Sequence, residues 1–344
     1  MRPSEVLKMF CDIIPQRYPE HMFCFFAANA AQGNVLPFAH GIIRALWRID
    51  NAAPGYAEEM LKRMAAIKNT GEDQYEALIQ IVSEIYVTVG AVESADRNAD
   101  HSEMFAHEPG AARQKNPEFE ACANGHWYAN EVKTPKLIDF SRLRAKNFWQ
   151  VNARHPREFF SHLAPTLPRD NPVKDFLVSA NAKFDAYARH RPDAYRLLTI
   201  VWDDYIQEPV TALLHPQSGL LTDKSFNRDG QGKAVEYPFV DGVLLIRYQH
   251  QIVRATRVEP LMDGESPMVY QHQGFPPKVL IQNPKGRPLP DDLYEPLNAI
   301  PYDKYLGAEY HPGDIIMWVG ADSSSAESPS SKESKPGQGE AKQE

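Results

Sequence analysis

The chain has 344 residues, of which 43% are hydrophobic and 24% are charged, and this composition is typical of a globular protein of one large domain or two domains. A formal net charge of -8 excludes a protein that coats nucleic acid through its global field, although a local basic groove is still allowed. No apolar run approaches the ~18 residues needed to span a bilayer, so we expect no membrane segment.

The cysteine count indicates a reducing compartment. Cys11, Cys24 and Cys122 are an odd number without close spacing, which argues against a disulfide framework and against a CxxC zinc site. We therefore expect a cytoplasmic location.

The first quarter of the chain, from Pro3 to about Gly90, is predicted to be helical. The clearest helix begins near Glu72, and Gly90 is expected to cap its C-terminus. Glu84 lies at the margin of the apolar face of this helix. Its side chain is either solvated or part of a functional site, and the sequence favours neither. The apolar positions of this helix are Tyr75, Leu78, Ile79, Val82, Ile85, Tyr86 and Val89.

A β-hairpin is predicted after a polar stretch that includes a short strand near Glu103–His107. The segments Phe119–Ala123 and His126–Val132 contain aromatic and β-branched residues typical of strands. Asn124 and Gly125 between them form the dipeptide that most strongly favours a two-residue hairpin turn.

Charged side chains gather at one end of this hairpin. Alternate residues of a strand share a face, so Glu131 and Lys133 point the same way, as do Glu118 and Glu120 on the partner strand. We expect two or three carboxylates and one ammonium to meet at one edge of a sheet. Such a cluster can hold a hard divalent cation and place a lysine beside a developing phosphate charge.

The segment after the hairpin is basic and rich in aromatic residues. Residues 133 to 157 include seven basic residues and a single acidic residue, Asp139. Phe140, Phe148 and Trp149 lie among them, which suits phosphates and unstacked bases as well as it suits a solvated surface around packed aromatics. The basic residues are Lys133, Lys136, Arg142, Arg144, Lys146, Arg154 and Arg157.

A second helix and further strands follow. The helix opens at Asn171 and carries Lys183 at its apolar margin, and Tyr195–Trp202 is a buried strand, so a βαβ crossover and a mixed sheet are predicted. Val243–Tyr248 is another strand candidate, with a following segment expected to pair with it. Residues 322–344 are nearly free of apolar side chains and are predicted to be disordered.

The hairpin and its surroundings resemble a known nuclease family. Pro117-Glu118 followed by a strand and by Glu131-x-Lys133 is similar to the PD-(D/E)XK signature of the restriction-endonuclease-like superfamily, over roughly residues 72 to 204. The family usually has Asp as its first acid, where this chain has Glu118.

The resemblance implies a metal-dependent nuclease. Glu118 and Glu131 would ligate Mg²⁺ or Mn²⁺, helped by Glu84 or Glu120. Lys133 would orient the attacking water and offset charge in the transition state. Family members often carry Gln or Lys on the helix after Glu-x-Lys, a place that Lys183 matches. The implied reaction is hydrolysis of phosphodiester bonds, most readily in DNA. The composition of the basic segment makes Arg142, Arg144, Lys146 and Trp149 candidate nucleic-acid-binding residues, and the resemblance adds Lys183.

We therefore expect an α/β protein, with an α+β mixed sheet, in four parts. They are a helical region (1–71), a restriction-endonuclease-like core (72–210), a β-rich C-terminal extension (211–321) and a disordered tail (322–344). One alternative is a catalytically degenerate member of the same fold that binds nucleic acid or a protein partner. A second is a structural assembly subunit in which the charged residues form a surface ion-pair cluster. The sequence leaves open whether the chain forms a homodimer.

Overall fold

The computed structural model shows a mixed α/β protein built on one large sheet. The described residues are 1–14, 21–68, 71–95, 101–110, 116–136, 138–147, 149–154, 165–203, 207–261, 267–270, 278–302, 304, 311–313 and 317–319. The described helices are α1 (Pro3–Ile13), α2 (Met22–Ala31), α3 (Pro37–Ala52), α4 (Tyr56–Ala66), α5 (Glu72–Ser94), α6 (His101–Met104), α7 (Ile138–Lys146), α8 (Asp170–Tyr187), α9 (Gln207–Leu214) and α10 (Gln249–Thr256). The described strands are β1 (Phe105–His107), β2 (Phe119–Ala123), β3 (His126–Lys133), β4 (Trp149–Val151), β5 (Tyr195–Trp202), β6 (Gly242–Arg247), β7 (Lys278–Gln282), β8 (Ile300–Pro301) and β9 (Met317–Val319).

The large sheet has the order β1-β2-β3-β5-β6-β7-β8, while β4 and β9 form a separate antiparallel pair. Strand β2 is antiparallel to its neighbours β1 and β3, and β3, β5 and β6 are parallel. The connection from β3 to the parallel strand β5 contains α7, β4 and α8, so the predicted crossover and mixed sheet are confirmed.

The predicted hairpin is confirmed as the joint between β2 and β3. Asn124 and Gly125 both have positive φ, 51° and 75°, which is the conformation of a type I′ turn. Its right-handed twist matches the twist of the two strands. The register that it sets pairs Phe119 with Asn130 and Ala123 with His126.

Each face of the sheet is covered by its own layer of helices. Because side chains alternate along β5, Leu197 and Val201 join a core formed with the N-terminal helices and α5, whereas Leu198 and Ile200 join a core formed with α8 and α9. Among the described helices, α5 alone has the length and apolar composition to cross a membrane, but 78% of its most apolar stretch is buried within the protein, as in a core helix.

The N-terminal helix prediction needs one correction, at Gly90. Helix α5 continues through this residue to Ser94, so Gly90 is not a cap. A Cβ at this position would overlap the ring of Tyr270, which packs directly on the helix backbone. Glycine is required here for close approach rather than for a left-handed turn.

The C-terminal half also differs from the sequence-based prediction. The segment after β6 was expected to be a strand, but it forms α10, whose Ile252 and Ala255 pack into the core. Strands β6 and β7 lie in the same sheet as the hairpin. The expected boundary between a core (72–210) and a C-terminal extension (211–321) therefore falls between β5 and β6, which are neighbours in one sheet. Residues 322–344 lie outside the described residues.

Candidate functional site

Two glutamates face each other where β2 begins and β3 ends. The Glu118 amide donates to the Asn130 carbonyl at 2.9 Å, which extends the β2–β3 ladder by one residue. The register of Phe119 with Asn130 therefore places Glu118 opposite Glu131, on the face covered by α8. Lys133 shares that face because it lies two residues further along β3.

Lys183 of α8 joins the two acids. Its Nζ lies 2.7 Å from Glu131 Oε2 and 3.4 Å from Glu118 Oε1, so both carboxylates converge on one positive charge. Burial lowers the pKa of Lys183, but the attraction of Glu131 and Glu118 outweighs it and the net shift is upward. The helical margin where sequence reasoning placed Lys183 thus faces the hairpin rather than solvent.

Glu131 is the most buried member of the cluster. Its side chain has no solvent exposure, and its other oxygen, Oε1, lies 2.5 Å from the ammonium of Lys133. Burial raises the pKa of this carboxyl and the charge of Lys133 opposes the rise. A fully buried carboxylate between Lys133 and Lys183 is an interior charge cluster, not the surface ion pair of the structural-subunit alternative.

Glu84 approaches the site from the opposite side of the sheet. Arg63 of α4 donates to its two oxygens at 2.9 and 3.0 Å. Burial raises the pKa of Glu84 to about 7, and the negative charge of Glu118 adds to the rise. Arg63 was missed by the sequence analysis, because nothing in α4 signals a partner 21 residues further along the chain.

Glu120 is bound by side chains other than Lys183, although the strand period puts it on the same face as Glu118. Its carboxylate is buried and accepts hydrogen bonds from the Tyr187 hydroxyl and from Arg191, whose Nε and Nη2 lie at 3.1 and 3.0 Å. The Arg191 guanidinium stacks 3.9 Å from the Trp127 ring. These side chains satisfy Glu120, so Glu118 and Glu131 are the pair that faces Lys183, and a ligand role for Glu120 stays a prediction.

Arg144, predicted to bind nucleic acid, is instead part of a buried ion network. Its Nη2 lies 2.5 Å from Glu208 Oε1, and both side chains are almost inaccessible. Arg169 binds the other oxygen of Glu208 at 2.7 Å and also binds Asp203 at 2.8 Å. A phosphate would reach Arg144 only by breaking this network, and the nucleic-acid-binding role of Arg144 stays a prediction.

Other basic side chains of the segment are also paired with acids. Arg142 pairs with Glu72, and Lys136 lies 2.5 Å from Asp73, both at the start of α5. Lys146 is exposed. Trp149 is half-buried on β4, Arg154 pairs with Asp170, and Phe148 and Arg157 lie outside the described residues. Much of the local positive charge is thus compensated by acids that are distant in sequence.

The donor set suits a hard cation that keeps much of its water. Within the described residues, no three His, Cys, Asp or Glu side chains are grouped to hold a metal ion. Glu118 and Glu131 are two carboxylates that already share a cation, the ammonium of Lys183. Mg²⁺ commonly binds to proteins through one or two carboxylates and several waters, so these residues fit it.

Comparisons of this chain with models of protein families, with curated proteins and with solved structures find no match. A function is therefore inferred from the chain's own residues.

Proposed function

We propose that this protein is a divalent-metal-dependent nuclease with a restriction-endonuclease-like core, which hydrolyses phosphodiester bonds, most readily in DNA. The observation that carries the proposal is the convergence of Glu118, Glu131, Lys133 and Lys183 where β2 begins and β3 ends. Two acids and two ammonium groups in one partly buried cluster suit binding of a cation and of a phosphate together.

The order of elements supports the same proposal. The helix before the hairpin, α5, carries Glu84, and the start of β2 carries Glu118. Strand β3 carries Glu131 and Lys133, and the crossover helix α8 carries Lys183. This is the order in which the resemblance to the PD-(D/E)XK superfamily assigns the site residues.

Glu118 and Glu131 would hold Mg²⁺ or Mn²⁺. When bound, such an ion lowers the pKa of a coordinated water and polarises a phosphoryl oxygen. Lys183 contacts both acids through one ammonium, so its positive charge lies beside the residues that would hold the ion, where it would also attract a phosphate. Glu84 lies behind the site, where the negative charge of Glu118 helps burial to raise the pKa of Glu84.

Lys133 has the geometry of a group that acts on the reacting atoms. Its ammonium is held 2.5 Å from Glu131, and a quarter of its side chain is exposed, so a substrate can reach it. Burial of Glu131 weakens solvent screening around this ammonium, which strengthens its attraction to a developing negative charge. We assign Lys133 to orienting the attacking water and to stabilising charge on the phosphate.

A specific observation also favours the degenerate alternative, in which the fold binds nucleic acid or a protein without cutting. Glu131 already carries a lysine on each oxygen, and Glu118 stands where the family usually has Asp. A cluster neutralised by its own lysines can be stable without metal. The two readings differ in whether Mg²⁺ or Mn²⁺ is required for an activity.

The test is cleavage of linear and circular DNA, single-stranded DNA and RNA by the purified chain, with Mg²⁺, with Mn²⁺ and with chelator. We expect metal-dependent cleavage of DNA that Glu131→Gln and Lys133→Met each reduce by about 100-fold or more. Lys136→Met is the matched control, because Lys136 is an exposed, ion-paired lysine three residues away, and it should cleave at the parental rate. Metal-independent DNA binding without cleavage of any substrate would establish the degenerate alternative instead.

A further inference from the structure

Helix α8 and the turn after it contact the hairpin through three polar side chains spaced four residues apart, Lys183, Tyr187 and Arg191. Lys183 contacts the two acids of the site, whereas Tyr187 and Arg191 both contact Glu120. Arg191 lies beyond the last residue of α8, but its amide still donates to the Tyr187 carbonyl at 3.3 Å, so the helical spacing is kept. Residues four apart lie on one face of a helix, so the three form a single polar row.

The Glu120 carboxylate is an anchor for this row. It is almost fully buried, and one of its oxygens accepts the Tyr187 hydroxyl and Arg191 Nε, while the other accepts Arg191 Nη2 at 3.0 Å. A guanidinium that binds both oxygens of a carboxylate fixes the distance and the angle between the two groups. The same guanidinium lies 3.9 Å from the centre of the Trp127 ring on β3, so Arg191 ties α8 to both strands of the hairpin.

The spacing of the contacts along α8 matches their spacing along β3. Trp127 and Glu131 share a face of β3 and lie four residues apart, which is about 13 Å in a strand. Arg191 and Lys183, which contact them, are eight residues apart, which is about 12 Å in a helix. Both contacts can therefore form at the same time without distortion of either element.

The spacing along β2 leads to the same position of the helix. Glu118 and Glu120 are two residues apart, or about 7 Å, and their partners Lys183 and Tyr187 are four helical residues apart, or about 6 Å. A shift of α8 by one turn, about 5 Å, would separate all of these pairs. The contacts at Glu120 thus select the position of α8 in which Lys183 reaches the two acids of the site.

We propose that Tyr187 and Arg191 are positioning residues, which hold α8 against Glu120 and so place the Lys183 ammonium between Glu118 and Glu131. Both residues bind Glu120 rather than the two acids of the site, so they act through Lys183. The importance of this placement for catalysis rests on the proposed nuclease function. The placement itself requires neither metal nor substrate.

A double-mutant cycle in urea unfolding, at pH 7 with chelator, tests the proposal. Lys183→Met removes an ammonium from the buried Glu131 carboxylate and should lower the urea midpoint of the parent. In Arg191→Met the ammonium is no longer held at Glu131, so the same substitution should lower the midpoint by less than half as much. Residues about 12 Å apart without a shared partner normally have additive effects, so this non-additivity distinguishes positioning from a separate structural role.

Two further backgrounds make the cycle decisive. Tyr187→Phe removes the hydroxyl that binds Glu120 without a change of charge, so a smaller effect of Lys183→Met in this background cannot come from altered electrostatics. Arg189→Met is the control, because Arg189 is exposed in the turn after α8, and here Lys183→Met should act as it does in the parent. An undiminished effect of Lys183→Met in Arg191→Met, or in Tyr187→Phe if Arg191→Met does not fold, overturns the inference.

Cleavage of DNA adds a second cycle. Arg191→Met should lower kcat about tenfold or more, and should lower it little further once Lys183 is Met. A parent that cuts no DNA contradicts the nuclease, and the unfolding cycle then decides the placement of Lys183 alone. Cleavage by the parent together with additive losses in urea supports the nuclease and overturns the positioning role.

Discussion

Replacing Lys183 with Met should destabilise the metal-free protein in a strongly pH-dependent way. Met preserves most of the apolar stem of the lysine but removes the ammonium that bridges Glu131 and Glu118. Glu131 is then a fully buried carboxylate with Lys133 as its remaining close cation. A buried charge that loses a partner is costly, so the variant either keeps a poorly compensated charge or takes up a proton.

Protonation of Glu131 sets the upper limit of the unfolding free energy that the variant loses at this carboxyl. In the unfolded chain the pKa of Glu131 is near its ordinary 4.5, and each pH unit above that value adds 1.36 kcal/mol to the free energy of holding the neutral acid. The limit is therefore roughly 3 kcal/mol at pH 7 and less than about 1 kcal/mol at pH 5. The pKa of Glu131 in the folded variant lies above the unfolded value, so the folded variant binds the extra proton. The stability of the variant is therefore highest below pH 4.5, where Glu131 is protonated in both states, and falls as the pH rises.

Urea unfolding of parent and variant at pH 5 and pH 7, with chelator present, measures this directly. Lys174→Met is the control, because Lys174 lies on the same helix, α8, and pairs with an exposed acid, Asp175. We expect the control to change stability little at either pH. A loss in Lys183→Met that is equal at both pH values, or no loss at pH 7, would refute the reasoning.

Three further predictions concern other buried charges. Burial raises the pKa of Glu84 to about 7, so between pH 4.5 and 7 the folded chain holds a proton that the unfolded chain releases. The stability of the parent should therefore fall as the pH rises through this window. Thermal melts should show a smaller fall in Glu84→Gln. Burial lowers the pKa of Lys278 to about 7, so between pH 7 and 10.5 the unfolded chain holds a proton that the folded chain lacks. The stability of the parent should therefore rise with pH in this window, and Lys278→Met should remove that rise. At pH 6 the variant should melt at a higher temperature than the parent. Arg144→Ala should cost roughly 3 to 5 kcal/mol in urea unfolding because it leaves Glu208 short of a buried partner, whereas Lys146→Ala should be neutral.

The hairpin could be predicted because its determinants are local. Asn124 and Gly125 specify the turn, the turn sets the register, and the strand period then puts Glu118, Glu131 and Lys133 on one face. No contact with a distant segment is needed for this inference. The same holds for strand β5 and for the crossover that makes it parallel to β3.

The rest of the site depends on packing that the sequence pattern does not encode. Glu118 and Glu120 share a face, and only the docking of α8 decides that Glu120 is satisfied by Tyr187 and Arg191 while Lys183 meets Glu118. A lysine at a helix margin has the same local pattern whether it faces water or a buried acid.

A count of charges along one segment does not show which of them are paired, for a related reason. Arg144 belongs to a basic run, but its partner Glu208 lies 64 residues away on α9. Gly90 was similarly read as a cap because a terminal glycine is the common local pattern, whereas its actual constraint is the ring of Tyr270. Long-range contacts of this kind are visible only once the helices are docked.

The central claim is that Glu118 and Glu131 share one divalent cation, and anomalous scattering from crystals soaked in Mn²⁺ tests it most directly. We predict an anomalous peak between these two carboxylates, with the Lys183 ammonium displaced from them, and no peak there in Glu131→Gln. Lys183 still bridging both acids in the presence of Mn²⁺, or a peak only at surface acids elsewhere, would contradict the account.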